Sequence, residues 1–328
     1  MIDNSLVDDI PGVEGVASVS RKLEVSLIIE TYNLVEGTDR VCFAKTIQRA
    51  AQAAKECNGE LIITDVSGDP AVTEFVTDAA PGARLIDAVG MSYDEAKMLA
   101  AAEACSPILV FLDSDCEPLG NWPHELLDAL QSQQGKAGVA GYTRYRGTSV
   151  LSAVMSVMDF GFFYPVVRRS MACYAFNNAA FRRSALLDCP IPTGPMRCGC
   201  FSHAQSLLRQ GKPLMLATNA VAIHDLPPIV RERTRQGHDT IAACWMNPTL
   251  PEARWLELGV LSVPVFLAMR VALDWKRLLT GRHNLNLSLF GLVAGLALAP
   301  ILRLLDAAGM VHAFWAGRNA PAWGGWQW

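Results

Sequence analysis

The 328-residue chain is short of charge: 18% of its residues are Asp, Glu, Lys or Arg, and they sum to a net −4. It lacks the basic surplus that a nucleic-acid partner would meet, so it is read as making no nucleic-acid contact. A secretory start is also missing. Residues 1–20 open acidic and polar, at Met1-Ile2-Asp3-Asn4, without a basic-then-apolar run. Nine cysteines follow no repeating spacing. An odd set of thiols fits a reducing cytoplasm better than a disulfide framework. The closest two, Cys198 and Cys200, have no second pair at zinc spacing. One more gap matters below: no Asp or Glu stands between Asp188 and Asp225.

Apolar residues are what the chain has in plenty, at 51% of the sequence and a mean hydropathy of +0.21. The excess lies after residue 255. The length allows one large α/β domain with an appendage. Three divisions follow: a flexible polar lead over 1–22, an α/β domain over 23–245, and an apolar helical segment over 246–328.

The order of elements in the second division sets the fold class. Val25-Ser26-Leu27-Ile28-Ile29-Glu30 is a continuous apolar, β-branched run, the mark of a strand buried on both faces. Residues 39–57 carry apolar positions at helical spacing and stop at Asn58-Gly59. Leu61–Asp65 predicts a second strand, 70–80 a helix, Arg84–Ile86 a short strand and 92–105 an alanine-rich helix. Pro107–Leu112 is another buried strand, and Asp113-Ser114-Asp115 ends it. Strands alternating with helices imply an α/β, mostly parallel sheet covered on both faces. Ligands of such sheets bind beyond the carboxyl ends of the strands. Glu30, Asp65 and the Asp113/Asp115 pair all fall on that edge.

Strand geometry would aim Asp113 and Asp115 the same way. Two carboxylates so close repel unless a cation neutralises them. Mg²⁺ or Mn²⁺ prefers oxygen ligands of this kind and would also hold a diphosphate. The bland alternative is a turn with two solvated acids.

Five segments together resemble the family 2 glycosyltransferases of the GT-A fold, over about residues 24–240. They are Val25–Asn33 with its Thr31-Tyr32-Asn33 turn, Leu61–Asp69, Ala96-Lys97, Phe111–Pro118, and Asn177-Asn178-Ala179-Ala180-Phe181-Arg182-Arg183. Glu30 stands where proline is usual in that family. The resemblance implies a GT-A (Rossmann-like) nucleotide-sugar transferase with a DxD motif. It implies that Thr31 and Asp65 contact base and ribose, and that Lys97 lies near the nucleotide. Asp113 would bind ribose and metal, Asp115 metal, and Asn178 would lie near the donor sugar. His224, in His224-Asp225, resembles the histidine that completes the metal site.

Inverting members of the family carry an acidic pair before a helix ending in Leu-x-x-Gly. Here that helix ends at Leu207-Leu208-Arg209-Gln210-Gly211, and the acid positions fall at Gly199-Cys200. The usual base is absent. His203 is one replacement, since histidine suits base work near neutral pH. A phosphate acceptor, as in polyprenyl-phosphate sugar transferases, would need no base. A non-catalytic relative that binds sugar nucleotides is the third alternative. Arg231, Arg233 and Arg235 alternate along the chain, either as a solvated face or as a loop that closes on the diphosphate.

The last division reads as membrane-associated. Leu258–Met269 is uncharged but spans only about 18 Å as helix. With Glu257 and Arg270 at its ends it suits an interfacial or re-entrant placement. Asn284–Leu302 is uncharged and reaches about 28 Å, a transmembrane candidate. Lys276, Arg277, Arg282 and His283 lie between them, which disfavours two full crossings. Trp315, Trp323, Trp326 and Trp328 suit a headgroup belt. The alternative is a hairpin packed on the catalytic domain or on another subunit. Val150–Tyr164 is apolar as well and is read as a core helix or the lining of a lipid groove. The chain is therefore expected at the cytoplasmic face of the cell membrane, moving sugar to a lipid-linked or cell-envelope glycan acceptor.

Overall fold

The computed structural model describes residues 24–35, 40–167, 169–192, 199–246, 248 and 250–317. The lead over 1–22, Cys198, Trp323, Trp326 and Trp328 lie outside the described residues. In chain order the first elements are β1 (Val25–Glu30), α1 (Tyr32–Val35), α2 (Arg40–Glu56), β2 (Glu60–Asp65), α3 (Pro70–Ala79), β3 (Arg84–Asp87), α4 (Tyr93–Glu103) and β4 (Ile108–Leu112). There follow β5 (Cys116–Pro118), α5 (Trp122–Gln131), β6 (Gly138–Tyr145), α6 (Val150–Phe160), β7 (Ser170–Met171), β8 (Asn178–Arg182), α7 (Arg183–Asp188), α8 (Gly199–Arg209), β9 (Leu214–His224) and α9 (Ile229–Met246). A 3-10 stretch (Pro251–Ser262), α10 (Val263–Gly281) and α11 (Leu289–Ala316) complete the described chain.

The strands make one mixed sheet in the order β3-β2-β1-β4-β8-β6-β9-β5, with β7 on β9. β3, β2, β1 and β4 run parallel, as the strand-helix alternation predicts. Beyond β4 the sheet is mixed, because β8 is antiparallel to both neighbours and β5 and β7 are antiparallel to β9.

The apolar runs of β1, β2 and β4 need cover on both faces, and they have it. Ile28, Ile62, Leu109 and Phe111 pack with α4, α6 and α8. Leu27, Ile29, Ile63 and Val110 pack with Phe43 and Ile47 of α2 and with Trp122 and Leu126 of α5. Each such buried side chain contributes about 1.5–3 kcal/mol. Ser92 caps α4 in a reciprocal capping box with Glu95, which fixes where Tyr93 and Lys97 emerge. Gly211, at φ +72, closes α8 where the Leu-x-x-Gly reading put the helix end.

One irregularity positions the site. β6 and β9 pair in register from Val139–Met215, then slip between Gly141, opposite Ala217, and Tyr142, opposite Val221. The extra residues of β9 bulge out and bend the strand. Past the bulge, His224 pairs with Tyr145 on one side and with Cys116 on the other.

The C-terminal helices are the two in the described residues that are long and apolar enough to cross a membrane by length and composition. They pack on α9 and α6. α9 and α11 meet backbone to backbone, since a Cβ at Gly309 would run into the Thr234 carbonyl and one at Gly237 into that of Asp306.

Candidate functional site

β4 stops at Leu112, and the backbone N–H of Cys116 donates to the Asp113 carbonyl at 3.0 Å. Residues 113–115 are thus a turn and not a continued strand. The two carboxylates consequently diverge, which corrects the expectation that both face one ion. Asp113 turns to α4: its Oδ1 accepts from the Tyr93 hydroxyl at 2.7 Å and from the Lys97 ammonium. Lys97 is wholly buried and also donates to Tyr93 Oη at 2.7 Å and to the Phe176 carbonyl at 3.2 Å. Asp115 turns to β9: its Oδ2 lies 3.1 Å from His224 Nε2, while Asn33 donates to Oδ1 at 3.3 Å. His224 Nδ1 is held on the Asp225 carbonyl at 2.7 Å, so Nε2 is the nitrogen facing Asp115.

A third carboxylate sits in the same place. Glu30, at the end of β1, is fully buried and accepts from the backbone N–H groups of Tyr32 and Asn33 and from the Asn33 amide. Burial, then the nearby Asp113, pushes its carboxyl well above the usual range. Burial opposes charge on Lys97, but Asp113 and Glu30 outweigh it and raise its pKa. The same contest at His224 is won by Asp115, which brings the imidazole up to about 9. Asp115 moves the opposite way: burial would raise it, and His224 holds it below its ordinary value.

Thr31 and Asp65 meet beside this group. Thr31 Oγ1 donates to Asp65 Oδ1 at 2.8 Å, and Ser67 donates to the same oxygen from its backbone (2.9 Å) and hydroxyl (2.6 Å). The edge therefore gathers Thr31, Asp65, Lys97, Asp113, Asp115 and His224.

The donor set fits a divalent ion at one end. Two ligands of an octahedral ion with bonds of about 2.1 Å stand roughly 3 Å apart, and Asp115 and His224 have that separation. Cys116 completes the one three-residue group among the described residues close enough to share a metal. Burial pushes its thiol well up, and a protonated thiol is a poor partner for a hard ion. Asp115 and His224 are the residues suited to Mg²⁺ or Mn²⁺.

Other expected site residues go elsewhere. Asn178 is fully buried: it accepts from Trp122 Nε1 at 2.8 Å and donates to the carbonyls of Ala220 (3.0 Å) and Tyr142 (3.3 Å). It pins the β6–β9 bulge and has no face toward a donor sugar. His203 is also wholly buried, between Tyr174 and Phe181, with the Tyr174 hydroxyl 2.7 Å from Nδ1. Burial lowers it to about 4. It is placed as a core histidine and not as a base. The arginines belong to an 18-residue helix and not to a closing loop. Two-residue spacing puts them on different faces of that helix. Arg233, with no exposed surface, pairs with Asp159. Arg235 pairs with Glu232 one turn back at 2.5 Å.

Residues without a role in the sequence reading also line the site. Tyr93 precedes Lys97 by four positions and so shares its helix face. Glu30 was visible as a departure from the proline usual there. Asp94, on the same first turn of α4, lies with Oδ2 against Gly199, at the start of α8 where the acidic pair is missing. No sequence spacing could join positions so far apart.

No family model matches the chain, and no curated protein matches it either. Among solved structures it is similar to a mannosyltransferase from Pyrobaculum calidifontis, solved with GDP-Man and Mn²⁺. Identity is 15%, the TM-score is 0.56, and the match covers 90% of this chain and 88% of that one. The fold is shared with a glycosyltransferase. Weaker likenesses are a mycobacterial protein (17% identity, TM-score 0.46, 67% of this chain and 73% of that one) and GalNAc-T7 with UDP, GalNAc and Mn²⁺ (12%, 0.47, 63% and 44%).

Proposed function

We propose that the chain is a metal-dependent family 2 glycosyltransferase. It moves a hexosyl group from a nucleoside-diphosphate donor to a lipid-linked or cell-envelope glycan, with inversion, at the cytoplasmic face of the membrane. The observation that carries this reading is the Asp115–His224 pair at the carboxyl edge of a sheet whose fold a GDP-Man-bound mannosyltransferase shares. Thr31 and Asp65 take the base and ribose, and Asp113, oriented by Lys97 and Tyr93, takes the ribose. Asp115 and His224 hold Mg²⁺ or Mn²⁺, which would neutralise charge growing on the departing diphosphate. For a hydroxyl acceptor the base is assigned to Asp94, whose carboxylate stands beside the start of α8.

A second reading has an observation of its own. The chain has no acid between Asp188 and Asp225, and a polyprenyl-phosphate acceptor is already ionised. The test is transfer from a panel of labelled nucleotide sugars into membrane lipid extract with Mn²⁺. The first reading expects an acid-stable glycoside, lost in Asp115→Ala and reduced in Asp94→Asn. An acid-labile product unaffected by Asp94→Asn supports the phosphate acceptor. Nucleotide binding without turnover on any acceptor leaves a non-catalytic binding protein.

A further inference from the structure

The C-terminal helices are built inside out. The outward stripe of α11 runs through Leu289, Phe290, Val293, Ile301, Leu304 and Trp315, with Phe290 84% and Trp315 87% exposed. Its inward face holds Arg303 and Asp306, both almost wholly buried. Arg303 donates to Asp274 of α10 at 2.7 and 2.9 Å, to Asp306 at 2.6 Å, and to the Met158 carbonyl of α6 at 3.4 Å. Asp306 also faces Arg233 of α9 at 3.7 Å. Only 17% and 39% of the most apolar windows of the two helical stretches are buried, so they are not core helices.

The hairpin touches the catalytic domain along its whole length. At its turn, Asn284 Oδ1 accepts from the Val166 backbone N–H at 3.3 Å, and Gly281 lies against the Tyr164 ring. At its middle stand the Arg303 and Asp306 contacts. At its far end Phe314 packs edge-on to Trp245 of α9, ring centres 5.7 Å apart. A hairpin that crossed a bilayer would carry its turn about 30 Å away from the domain.

We infer that α10 and α11 form an in-plane membrane anchor, with their outer face bedded in one leaflet and neither helix crossing. This rests on the membrane association in the proposed function and specifies its geometry. Lipid is the occupant that the surface fits. The stripe is about 40 Å long, and every exposed residue of α11 is apolar. Hydrocarbon asks for no hydrogen bonds from it. Lys276 and His283 are exposed at the turn end, where lipid phosphates would meet them. The turn residues 284–286 line a cavity with Arg144 and Tyr145, and the Tyr145 ring packs on His224 at 5.4 Å. A leaflet-bound acceptor would thus arrive beside the metal end of the site.

The test uses the full chain carrying His283→Cys in sealed membrane vesicles of both orientations, labelled with a membrane-impermeant maleimide and read by peptide mapping. Cys105 is exposed on the catalytic domain and serves as the internal reference. The inference expects the thiol at position 283, and in a second variant the thiol of Ala316→Cys at the exposed far end of α11, to be labelled in the same orientation as Cys105 and all of them to be silent in the other. Labelling in opposite orientations, or a silent position 283 where Cys105 reacts, overturns it. Recovery of the chain in the soluble fraction as an oligomer also overturns it and makes the stripe a protein interface. Nucleotide binding measured on the same preparation keeps the failure of the anchor separate from failure of the donor site.

Discussion

At the scale of single residues, two histidines that look alike in sequence have opposite fates. His224 ends a strand and meets a carboxylate; His203 lies on a helix and meets aromatic rings. Asp115→Ala and His224→Ala are each expected to lower Mn²⁺-dependent turnover at least about a hundredfold, the scale of losing a group that stabilises developing charge. Steady-state kinetics over a Mn²⁺ series checks this. His203→Gln is expected to leave turnover nearly unchanged and to alter stability instead. The folded pKa of about 4 lies below the unfolded 6.5. The unfolded chain therefore takes up the proton first, and stability is full above pH 6.5 and falls toward pH 4. The slope is at most about 1.4 kcal/mol per pH unit. Urea melts of wild type and variant between those values should show this acid limb shrinking in the variant. A large loss of turnover with an unchanged limb would restore His203 as the base.

At the scale of elements, what could be read from sequence was whatever one element contains. β1, β2 and β4 announce themselves because a strand covered on both faces must be apolar throughout. Ser92 with Glu95, and Asn58-Gly59, mark helix ends through local hydrogen bonds and backbone freedom. The divergence of Asp113 and Asp115 was not legible, because a turn and a strand end look the same in a three-residue string. Nor was the role of Asn178. Its three partners lie on α5, β6 and β9, joined only by the fold. Asn178→Ala is expected to cost about 2–4 kcal/mol, since it leaves the Trp122 N–H and two buried carbonyls without partners. Thermal melts measure the loss, and a change under 1 kcal/mol would mean that the bulge holds without its pin. The arginines of α9 misled for a related reason: alternation suggests one face only in an extended chain.

At the scale of the whole molecule, charge inside and apolar surface outside distinguish the C-terminal layer from the sheet. Hydropathy showed the apolar stretches, but not that Asp274, Arg303 and Asp306 turn inward, Asp274 and Asp306 onto Arg303 and Asp306 also onto Arg233. Asp306→Ala removes the carboxylate shared by Arg303 and Arg233, which keep Asp274 and Asp159, and is expected to cost about 1.5–3 kcal/mol, loosening α11 from α9 before the sheet unfolds. Hydrogen exchange should then rise in 289–316 ahead of 25–112. Uniform exchange across both would show the layers to be one cooperative unit. The proposed function requires that the carboxyl edge of this sheet bind a nucleoside diphosphate through a divalent ion. Calorimetric titration of purified protein with a panel of nucleoside diphosphates, with and without Mn²⁺, tests it directly. Binding of one nucleotide is expected, requiring Mn²⁺ and disappearing in Asp115→Ala. A folded protein that binds none of them with Mn²⁺ present would contradict it.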